Sequence, residues 1–356
     1  LGEKGFTILK EDLGVKDQQF LREKLSVKPF IPKSPIQPEA FPVYRESQKK
    51  FYIPRYFGLE TYGIHDDVRI KDGLDISVDF KGELRDYQTT IVNKYVNYVD
   101  EEKGGGLLEV PCGRGKTVIA LKILSEMKKK TLIIVHKSFL LNQWIERINM
   151  FLPSARVGKI QGQIVDINDK DIVIGMLQSL SMKEYPQSMF GEFGLTIVDE
   201  CHHIGAEVFI RSLFKVVTKY TLGLSATMTR KDGLTKVFKM FLGDIVYSEK
   251  RDGDDKVLVK AIQYDNSDEE YSETQLDYRG NPQYSTMITK ICNFNRRSEF
   301  ILKVLADTLD ENPTQQVIIL AHNKSLLTYF HKAIEHKNIA SVGYYIGGMK
   351  EKDLKI

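Results

Sequence analysis

Short apolar segments alternate with amphipathic segments from residue 84 onward. Each apolar segment is four or five residues long, which suits a buried strand, and most of them are rich in β-branched side chains. Residues 87–99, 118–127 and 140–148 instead carry apolar side chains at helical spacing. Because strands that alternate with helices favour parallel βαβ units, this region is predicted to be an α/β domain. The predicted strands are residues 107–110, 131–135, 171–175, 195–198 and 220–224.

The first 80 residues have a different composition, because six of the eleven prolines lie between Pro29 and Pro54. Proline fixes φ and lacks an N–H, so this stretch is predicted to be an extended connector. Residues 51–57 and 76–80 are predicted to form short strands of a small accessory module. Its aromatic side chains are interleaved with lysine and arginine and could stack on bases. A small β core with a basic rim is the favoured interpretation.

A charged segment, residues 249–256, separates the first α/β region from a second one. There, residues 257–263 and 317–320 are predicted to be strands, residues 266–285 a polar insertion and residues 296–309 a helix. The chain is therefore predicted to contain an accessory region, a first α/β domain and an incomplete second α/β domain. The predicted bounds are residues 1–81, 82–250 and 256–356.

Composition narrows the class of protein further. A chain of 356 residues with 42% hydrophobic content is long enough for about two domains with apolar cores. Its longest apolar stretches have strand length, so neither a membrane span nor a secretory leader is predicted. The formal net charge is only +3, so nucleic-acid binding has to be argued from local patches. Cys112, Cys201 and Cys292 form no paired framework, which favours a reducing, intracellular compartment.

A glycine-rich segment, V-P-C-G-R-G-K-T at residues 110–117, lies between a predicted strand and a predicted helix. A turn of this kind directs backbone N–H groups and the positive end of the helix toward phosphate oxygens. Gly113 and Gly115 let the backbone approach the phosphates. Lys116 is expected to neutralise the outer phosphates, and the Thr117 hydroxyl is expected to bind Mg²⁺. The first position is valine where the strict motif has glycine, and the alternative is an ordinary strand-to-helix turn.

A second polar pair, Asp199 and Glu200, directly follows the apolar segment at residues 195–198. A carboxylate at the end of a second strand can hold the same magnesium ion as the glycine-rich turn, and Asp199 is assigned this role. Glu200 is placed to take a proton from an attacking water. Together with the turn, the pair predicts a site that hydrolyses a nucleoside triphosphate. The predicted catalytic residues are Lys116, Asp199 and Glu200.

Four motifs in order resemble a known family. They are L-R-D-Y-Q at residues 84–88, the glycine-rich turn, D-E-C-H at residues 199–202 and S-A-T at residues 225–227. In this order and spacing the chain resembles superfamily 2 nucleic-acid helicases. Residues 223–234, G-L-S-A-T-M-T-R-K-D-G-L, narrow the resemblance to the XPB-type branch. The branch has relatives in large nucleocytoplasmic DNA viruses, including a poxvirus transcript-release helicase, and the resemblance covers about residues 84–348.

The resemblance implies a fold and a set of nucleotide contacts. The fold is expected to be an α/β P-loop NTPase with two RecA-like domains, the second incomplete. Gln88 is expected to bind the adenine edge, because a side-chain amide both donates and accepts hydrogen bonds. Ser225 and Thr227 are expected to couple the nucleotide cleft to the nucleic-acid-binding face. The expected cofactors are ATP, bound by Gln88, Cys112, Gly113, Arg114, Gly115, Lys116 and Thr117, and Mg²⁺, held by Thr117 and Asp199.

The resemblance also implies where nucleic acid binds. His136 and Lys137 follow a predicted strand, and a lysine in this position can contact a phosphate group. Gln178 and Ser179, with Gly162, stand where the family has further contacts to the nucleic-acid backbone. These residues predict an interface that follows the sugar-phosphate backbone rather than the base edges.

Two more features of the first α/β domain bear on this interface. The segment Arg230-Lys231-Asp232 stands where XPB-type enzymes carry Arg-Glu-Asp. Lys231 replaces the glutamate in the middle of that motif, so a strand-opening role is not expected. A basic loop at this position can still hold a phosphate group. Trp144, the only tryptophan, lies on the predicted helix that follows Lys137, and core packing is favoured over base stacking.

The predicted function is that of an ATP-dependent nucleic-acid helicase or translocase. By resemblance, DNA is the preferred substrate, in viral transcription or genome handling. Transcription or virion proteins are candidate partners, and the host cytoplasm or the virion is the expected location. Two alternatives stay open: an RNA-directed ATPase of the same superfamily, and a non-catalytic subunit that binds nucleotide or nucleic acid.

The later motifs of the family do not occur before the last residue, Ile356. One of them supplies an arginine that completes the hydrolytic site, and an arginine of this kind contributes about 10³ to 10⁵ in rate in related chemistry. Three interpretations stay open: the sequence is a fragment, the polypeptide needs a partner, or it is a poor ATPase. The 356-residue chain by itself is expected to bind ATP but to hydrolyse it slowly, and to regain nucleic-acid-stimulated activity when the rest of the second domain is supplied.

Overall fold

A computed structural model describes residues 1–30, 37–64, 66–99, 104–201, 206–228, 234–249 and 258–349. The chain forms two compact units, a first unit of Leu1–Asp254 and a second unit of Asp255–Ile356. The first unit contains both the predicted accessory region and the first predicted α/β domain. In the described part of the chain, no helix is long and apolar enough to cross a membrane.

The N-terminal part of the first unit is a small module of short strands and helices. Its elements are β1 (Phe6–Leu9), a 3-10 helix (Lys10–Asp12), α1 (Val15–Lys24), β2 (Ser26–Val27), β3 (Phe41–Pro42), β4 (Arg45–Glu46), β5 (Lys50–Ile53) and α2 (Arg55–Tyr62). An antiparallel sheet has the order β1-β5-β4, and β2 pairs with β3. The predicted strand over residues 51–57 is confirmed only as far as Ile53, where β5 ends, and is wrong beyond it. Pro54 cannot donate to a ladder, and its φ of −56° suits the residue before a helix.

The aromatic side chains of this N-terminal module mostly pack inward. Phe51 is fully buried and Phe57 is nearly so, and both belong to an apolar cluster that continues into the α/β part. Charged groups of Lys10 and Arg22 lie 4.9 and 5.1 Å from the centre of the Phe51 ring. For these residues, the interpretation as a small core with a basic rim is confirmed.

The prediction of a strand over residues 76–80 is wrong. Among the described residues, this region makes only an isolated bridge between Asp75 and Lys129. Ile76 and Val78 are nevertheless buried in a cluster with residues of the α/β part. The alternating apolar pattern therefore reflects an extended segment that packs on the α/β core without joining a sheet.

An eight-stranded sheet forms the centre of the first unit. Its strands are β6 (Gly105–Glu109), β7 (Thr131–Val135), β8 (Val157–Gln161), β9 (Ile164–Val165), β10 (Ile172–Met176), β11 (Leu195–Val198), β12 (Tyr220–Ser225) and β13 (Ile245–Ser248). The strand order is β13-β6-β12-β11-β7-β10-β8-β9, and only the last pair is antiparallel. The helices of this part are α3 (Asp86–Tyr98), α4 (Lys116–Met127), α5 (Ser138–Phe151), α6 (Leu177–Met182), α7 (Ala206–Leu213) and α8 (Thr235–Leu242), with a 3-10 helix at Gln187–Glu192.

Alternate residues of the central strands contribute to opposite faces of the sheet. On β7, Leu132 and Ile134 belong to one apolar cluster, whereas Ile133 and Val135 belong to the other. The first cluster includes residues of α6, α7, α8 and the N-terminal module, and the second includes residues of α3, α4 and α5. Helices therefore cover both faces, as in a RecA-like α/β fold, and the predicted fold class is confirmed.

The described part of the second unit consists of helices and extended segments. Its helices are α9 (Glu269–Ser272), α10 (Tyr284–Asn293), α11 (Asn295–Glu311) and α12 (Lys324–His336). Leu302, Phe330 and Ile334 form part of a small core between α11 and α12. The helix predicted over residues 296–309 is confirmed by α11.

The strands predicted over residues 257–263 and 317–320 are wrong. Residue 257 lies outside the described residues, and the described residues of the second unit contain no strand. Leu258, Ile318 and Leu320 are 78%, 84% and 88% exposed. A strand is stabilised by a ladder to a neighbouring strand, and neither segment has such a neighbour in the described part of this unit.

Candidate active site

The glycine-rich turn lies between the end of β6 and the beginning of α4. Gly113 and Gly115 have φ values of 82° and 79°, which residues with a Cβ rarely adopt. A Cβ on Gly115 would also lie 2.5 Å from Nε2 of Gln88. Lys116 and Thr117 are the first two residues of α4, so they stand at the positive end of that helix. The turn can therefore present backbone N–H groups and a cation to a phosphate group.

Two side chains of α3 support the turn. Oε1 of Gln88 accepts a hydrogen bond from the backbone N–H of Arg85 at 3.0 Å, and Nε2 donates to the carbonyl oxygen of Arg114 at 3.1 Å. The Tyr87 hydroxyl donates to the same carbonyl oxygen at 3.2 Å. Gln88 is buried, and both ends of its amide already have protein partners. The amide keeps one more N–H, so adenine binding by Gln88 stays a prediction beside its observed contact with the turn.

Arg114 connects the turn to the segment that follows β13. Its guanidinium carbon lies 3.8 Å from the centre of the Tyr87 ring, and Nη2 donates to Oε1 of Glu249 at 2.6 Å. Sequence patterns do not identify Glu249, because it lies in the charged segment that predicts a domain break. Cys112, another predicted nucleotide contact, is exposed on the turn.

The second polar pair follows β11, which lies two positions from β6 in the sheet. Asp199 is only 6% exposed, and Nε1 of Trp144 donates to its Oδ2 at 2.8 Å. Glu200 has a φ of 48°, a left-handed conformation that is costly for a residue with a Cβ. Its Oε1 lies 3.4 Å from Nζ of Lys116. The structure therefore brings the three predicted catalytic residues together at the carboxyl edge of the sheet.

Burial raises the pKa of the Asp199 carboxyl above its usual value. The hydrogen bond from Trp144 and the charge of Lys116 oppose this rise in pKa, whereas the carboxylate of Glu200 adds to it. A buried carboxylate with a raised pKa is short of cationic partners, and a divalent cation would supply one. Thr117 and Asp199 offer the oxygen ligands that Mg²⁺ prefers beside phosphate groups. The residues present therefore fit Mg²⁺.

Ser225 and Thr227 shape a loop beside the glycine-rich turn. Ser225 is the last residue of β12, and its carbonyl oxygen accepts a hydrogen bond from the backbone N–H of Val110 at 2.9 Å. Its hydroxyl accepts one from the backbone N–H of Thr227 at 3.2 Å. The loop therefore begins next to the strand that leads into the turn, and the coupling role of the two hydroxyls stays a prediction.

Glu109, at the end of β6, is a residue of this site that no sequence motif identifies. Its Oε1 accepts a hydrogen bond from the backbone N–H of Met228 at 2.8 Å. Its Oε2 accepts one from the hydroxyl of Ser248 at 2.6 Å. One carboxylate therefore joins the strand before the turn to the loop after β12 and to β13.

Four of the predicted nucleic-acid contacts lie together where β7, β8 and β10 end. Lys137 is exposed at the beginning of α5, and the carbonyl oxygen of His136 accepts a hydrogen bond from Nε2 of Gln178 at 2.9 Å. The hydroxyl of Ser179 accepts one from the backbone N–H of Gly162 at 2.9 Å. Since β10 pairs with both β7 and β8, these contacts join neighbouring strand ends into one surface.

Phe139 adds an aromatic side chain that sequence reasoning did not single out at this surface. It is 58% exposed, and Nζ of Lys137 lies 5.8 Å from the centre of its ring. Its only sequence signal is its position two residues after Lys137. The other two predicted nucleic-acid contacts, Arg230 and Lys231, lie outside the described residues.

A parallel sheet with a glycine-rich turn and a carboxylate pair at its carboxyl edge defines a P-loop NTPase. The family model described as type III restriction enzyme, res subunit, matches residues 81–230. A protein of Acanthamoeba polyphaga mimivirus, named as an ATP-dependent RNA helicase, is 33% identical over 99% of this chain and 69% of its own length. A DNA 3′-5′ translocase of Sulfurisphaera tokodaii is 33% identical over 54% of this chain and 43% of its own length. The chain belongs to the superfamily 2 helicases, which confirms the family predicted from the motifs.

Two solved structures are similar to part of the chain. The UvsW helicase from bacteriophage T4 matches 66% of this chain and 94% of that chain, with 18% identity and a TM-score of 0.47. The Sulfolobus solfataricus SWI2/SNF2 ATPase core in complex with dsDNA matches 47% of this chain and 37% of that chain, with 21% identity and a TM-score of 0.40.

Among curated relatives, a helicase of invertebrate iridescent virus 6 is 34% identical, with 39% of its length covered. The chain spans between 39% and 69% of the length of the three curated relatives named here.

Proposed function

We propose that this chain carries the ATP-hydrolysing site of a nucleic-acid translocase. The observation that carries the proposal is the 3.4 Å separation between Nζ of Lys116 and Oε1 of Glu200, beside the buried Asp199. The ammonium group that pairs with Glu200 in this structure is the group expected to bind the outer phosphates. Nucleotide binding then exchanges one anionic partner of Lys116 for another and frees Glu200 to take a proton from the attacking water.

The other residues of the site bind and orient the nucleotide. Thr117 and Asp199 would hold Mg²⁺, which neutralises phosphate charge when bound. Gly113 and Gly115 place no Cβ at the two positive-φ positions of the turn, so its N–H groups can approach the phosphates. Gln88 fixes the turn through the carbonyl oxygen of Arg114 and, in this proposal, also binds the adenine edge.

The surface around Lys137 is proposed to hold the nucleic-acid backbone. Its exposed ammonium group and the polar strand ends of His136 and Gln178 suit contacts with phosphate and sugar. Binding should therefore depend strongly on salt and weakly on base sequence. DNA is the proposed substrate, in viral transcription or genome handling, with transcription or virion proteins as partners in the host cytoplasm or the virion.

Lys116→Ala tests the ATP site directly. Removing a charge-assisted contact worth about 1.5 to 3 kcal/mol should weaken Mg·ATP binding at least about tenfold in calorimetry. Lys122→Ala is the matched control, because Lys122 lies on the same helix and pairs with Glu126 instead. Equal affinities for the wild type and Lys116→Ala would contradict the proposal.

RNA is the second candidate substrate, and the name of the mimivirus relative favours it. Competition between DNA and RNA strands of the same sequence separates the two, because only RNA offers 2′-hydroxyl groups. If RNA binds more tightly and stimulates the ATPase more strongly than DNA, RNA becomes the proposed substrate. Binding of Mg·ATP without any turnover, even with nucleic acid and the rest of the second domain supplied, would instead favour a non-catalytic binding subunit.

A further inference from the structure

The only tryptophan of the chain contacts the carboxylate of the ATP site. Trp144 lies on α5, is 1% exposed and belongs to the apolar cluster beneath the sheet. Core packing explains the ring, as its position on the helix predicts. Packing does not explain the indole N–H, which donates to Oδ2 of Asp199 at 2.8 Å.

The surroundings of Asp199 make this hydrogen bond consequential. Asp199 is 6% exposed, so solvent offers its carboxylate little hydrogen bonding or orientation. A buried carboxylate needs donors or cations around it, and a side chain held at one oxygen keeps its orientation. Phenylalanine in place of Trp144 would preserve much of the packing but leave Oδ2 without this donor.

We propose that Trp144 is a positioning residue for the divalent cation that accompanies ATP: its indole N–H fixes the Asp199 carboxylate in the orientation that the cation requires. The inference rests on the proposed use of Mg·ATP at this site. It follows the general pattern in which a metal ligand is oriented by a hydrogen bond from a neighbouring group, and loss of such a partner typically costs about 10- to 100-fold in metal affinity or activity. Trp144 itself touches neither metal nor nucleotide in this assignment.

The first experiment measures nucleotide binding as a function of Mg²⁺ concentration in the 356-residue chain. Trp144→Phe should raise the Mg²⁺ concentration for half-maximal ATP binding about tenfold. Its ATP affinity in excess chelator should stay at the wild-type value, because Lys116 and the glycine-rich turn are unchanged. Ile148→Val is the matched control. Ile148 is fully buried one turn further along α5, and the substitution removes a methyl group from the core without altering Trp144.

These results separate the two proposals. A wild-type chain that fails to bind Mg·ATP contradicts the proposed function. A wild-type chain that binds Mg·ATP, with the same Mg²⁺ dependence in Trp144→Phe, contradicts only the positioning role. Trp144→Phe could also weaken ATP binding in excess chelator as much as it weakens ATP binding with Mg²⁺. That result would show general structural damage and would also overturn the positioning role.

The second experiment needs no substitution at Trp144, so it holds even where Trp144→Phe fails to fold. Because the chain has one tryptophan, its emission reports the indole that donates to Asp199. Mg²⁺ added to the ATP-bound wild type should shift or quench this emission, whereas Asp199→Asn should show no Mg²⁺-dependent change. An emission that ignores Mg²⁺ in the wild type, or that responds equally in Asp199→Asn, would overturn the proposal.

Discussion

The two units use similar apolar segments in different ways. In the first unit, T-L-I-I-V at residues 131–135 is the strand β7, which is fully buried between β10 and β11. In the second unit, V-I-I-L at residues 317–320 is not a strand, and Ile318 and Leu320 are more than four-fifths exposed. The hydrophobic patterns are alike, and the neighbours differ. A strand therefore depends on its ladder partners as well as on its own residues.

Helices do not show this difference between the units. The helix α11 in the second unit covers the predicted residues just as α4 does in the first. An α-helix satisfies its backbone hydrogen bonds within one segment, whereas a strand needs a second segment that is distant in sequence. In the described residues, the second unit thus has helices and a small core, while the sheet edge that carries the proposed ATP site belongs to the first unit.

Amide hydrogen exchange provides the largest expected contrast between the two segments. The amides of β7 should exchange only through global unfolding of the first unit, whereas those of residues 316–321 should exchange like an open segment. We expect protection factors that differ by at least about 10³-fold, measured by mass spectrometry of peptides. Strong protection of residues 316–321 would mean that this segment is paired in solution and would remove the contrast.

Glu200→Gln tests whether the chemistry belongs to the first unit. The amide keeps the shape of the side chain and loses its basicity, so turnover should fall about 10²- to 10⁴-fold while nucleotide binding is retained. Glu299→Gln is the control in the second unit, where Glu299 pairs with Lys337. A steady-state assay in the presence of single-stranded DNA, with the rest of the second domain supplied, provides the measurement, because the 356-residue chain alone is expected to hydrolyse ATP slowly. Parent-rate hydrolysis by Glu200→Gln would show that another group activates the water.

Lys137→Ala tests where the first unit holds nucleic acid. We expect binding to weaken a few-fold for every base sequence, and the slope of log affinity against log salt to fall by about one. Lys303→Ala, an exposed lysine on α11 of the second unit, is the control that should leave the slope unchanged. Fluorescence anisotropy across a salt series measures both quantities. An unchanged slope in Lys137→Ala would remove Lys137 from the interface.

The smallest effect concerns two aspartates whose pKa values shift in opposite directions. Burial raises the pKa of Asp199 in the folded chain. The stabilisation that the protonated carboxyl contributes is therefore complete below the unfolded-state pKa of 3.8 and is lost as the pH rises through the folded-state pKa. Hydrogen bonds from the backbone of Asn281 and then Arg279 lower the pKa of Asp277. Its contribution is present above 3.8 and is lost as the pH falls through the folded pKa.

At neutral pH the two asparagine substitutions should therefore have opposite signs. Asp199→Asn should raise the melting temperature of the nucleotide-free chain, because burial disfavours the charged carboxylate. Asp277→Asn should lower the melting temperature. Calorimetry at pH 7 provides the measurement, and the gain from Asp199→Asn should shrink as the pH is lowered. A lower melting temperature for Asp199→Asn would show that its charge is compensated in the folded chain.

Much of the first unit could be predicted because its signals are local. The bounds of β7 and β11 equal the predicted ones, and α4 begins at Lys116, just after the glycine-rich turn. The turn needs glycine at two positive φ values, so Gly113 and Gly115 can be recognised without any tertiary information. A predicted strand over residues 51–57 instead changes to a helix at Pro54, a local signal that the aromatic pattern obscured.

The missed parts of the site involve partners that are distant in sequence. Trp144 and Asp199 are 55 residues apart, Arg114 and Glu249 are 135 apart, and Glu109 is joined to a residue 139 positions away. Each pair combines common residue types, and its separation along the chain matches neither a helical nor a strand repeat, so the sequence does not reveal the contact. The partners meet because parallel strands bring their carboxyl ends to one edge of the sheet, whatever their separation along the chain.

The sequence by itself determined the chemistry that this protein can offer and the helices and turns that carry it. A glycine turn followed by Lys116 and Thr117, and an apolar strand followed by Asp199 and Glu200, depend on residue type and local backbone conformation. Only the tertiary structure decided which predicted strands pair and which side chains hydrogen-bond to the predicted catalytic residues, as Trp144 does to Asp199. Ladder pairing and buried hydrogen bonds need a second partner from a distant part of the chain, and that partner's position is set only when the whole core packs.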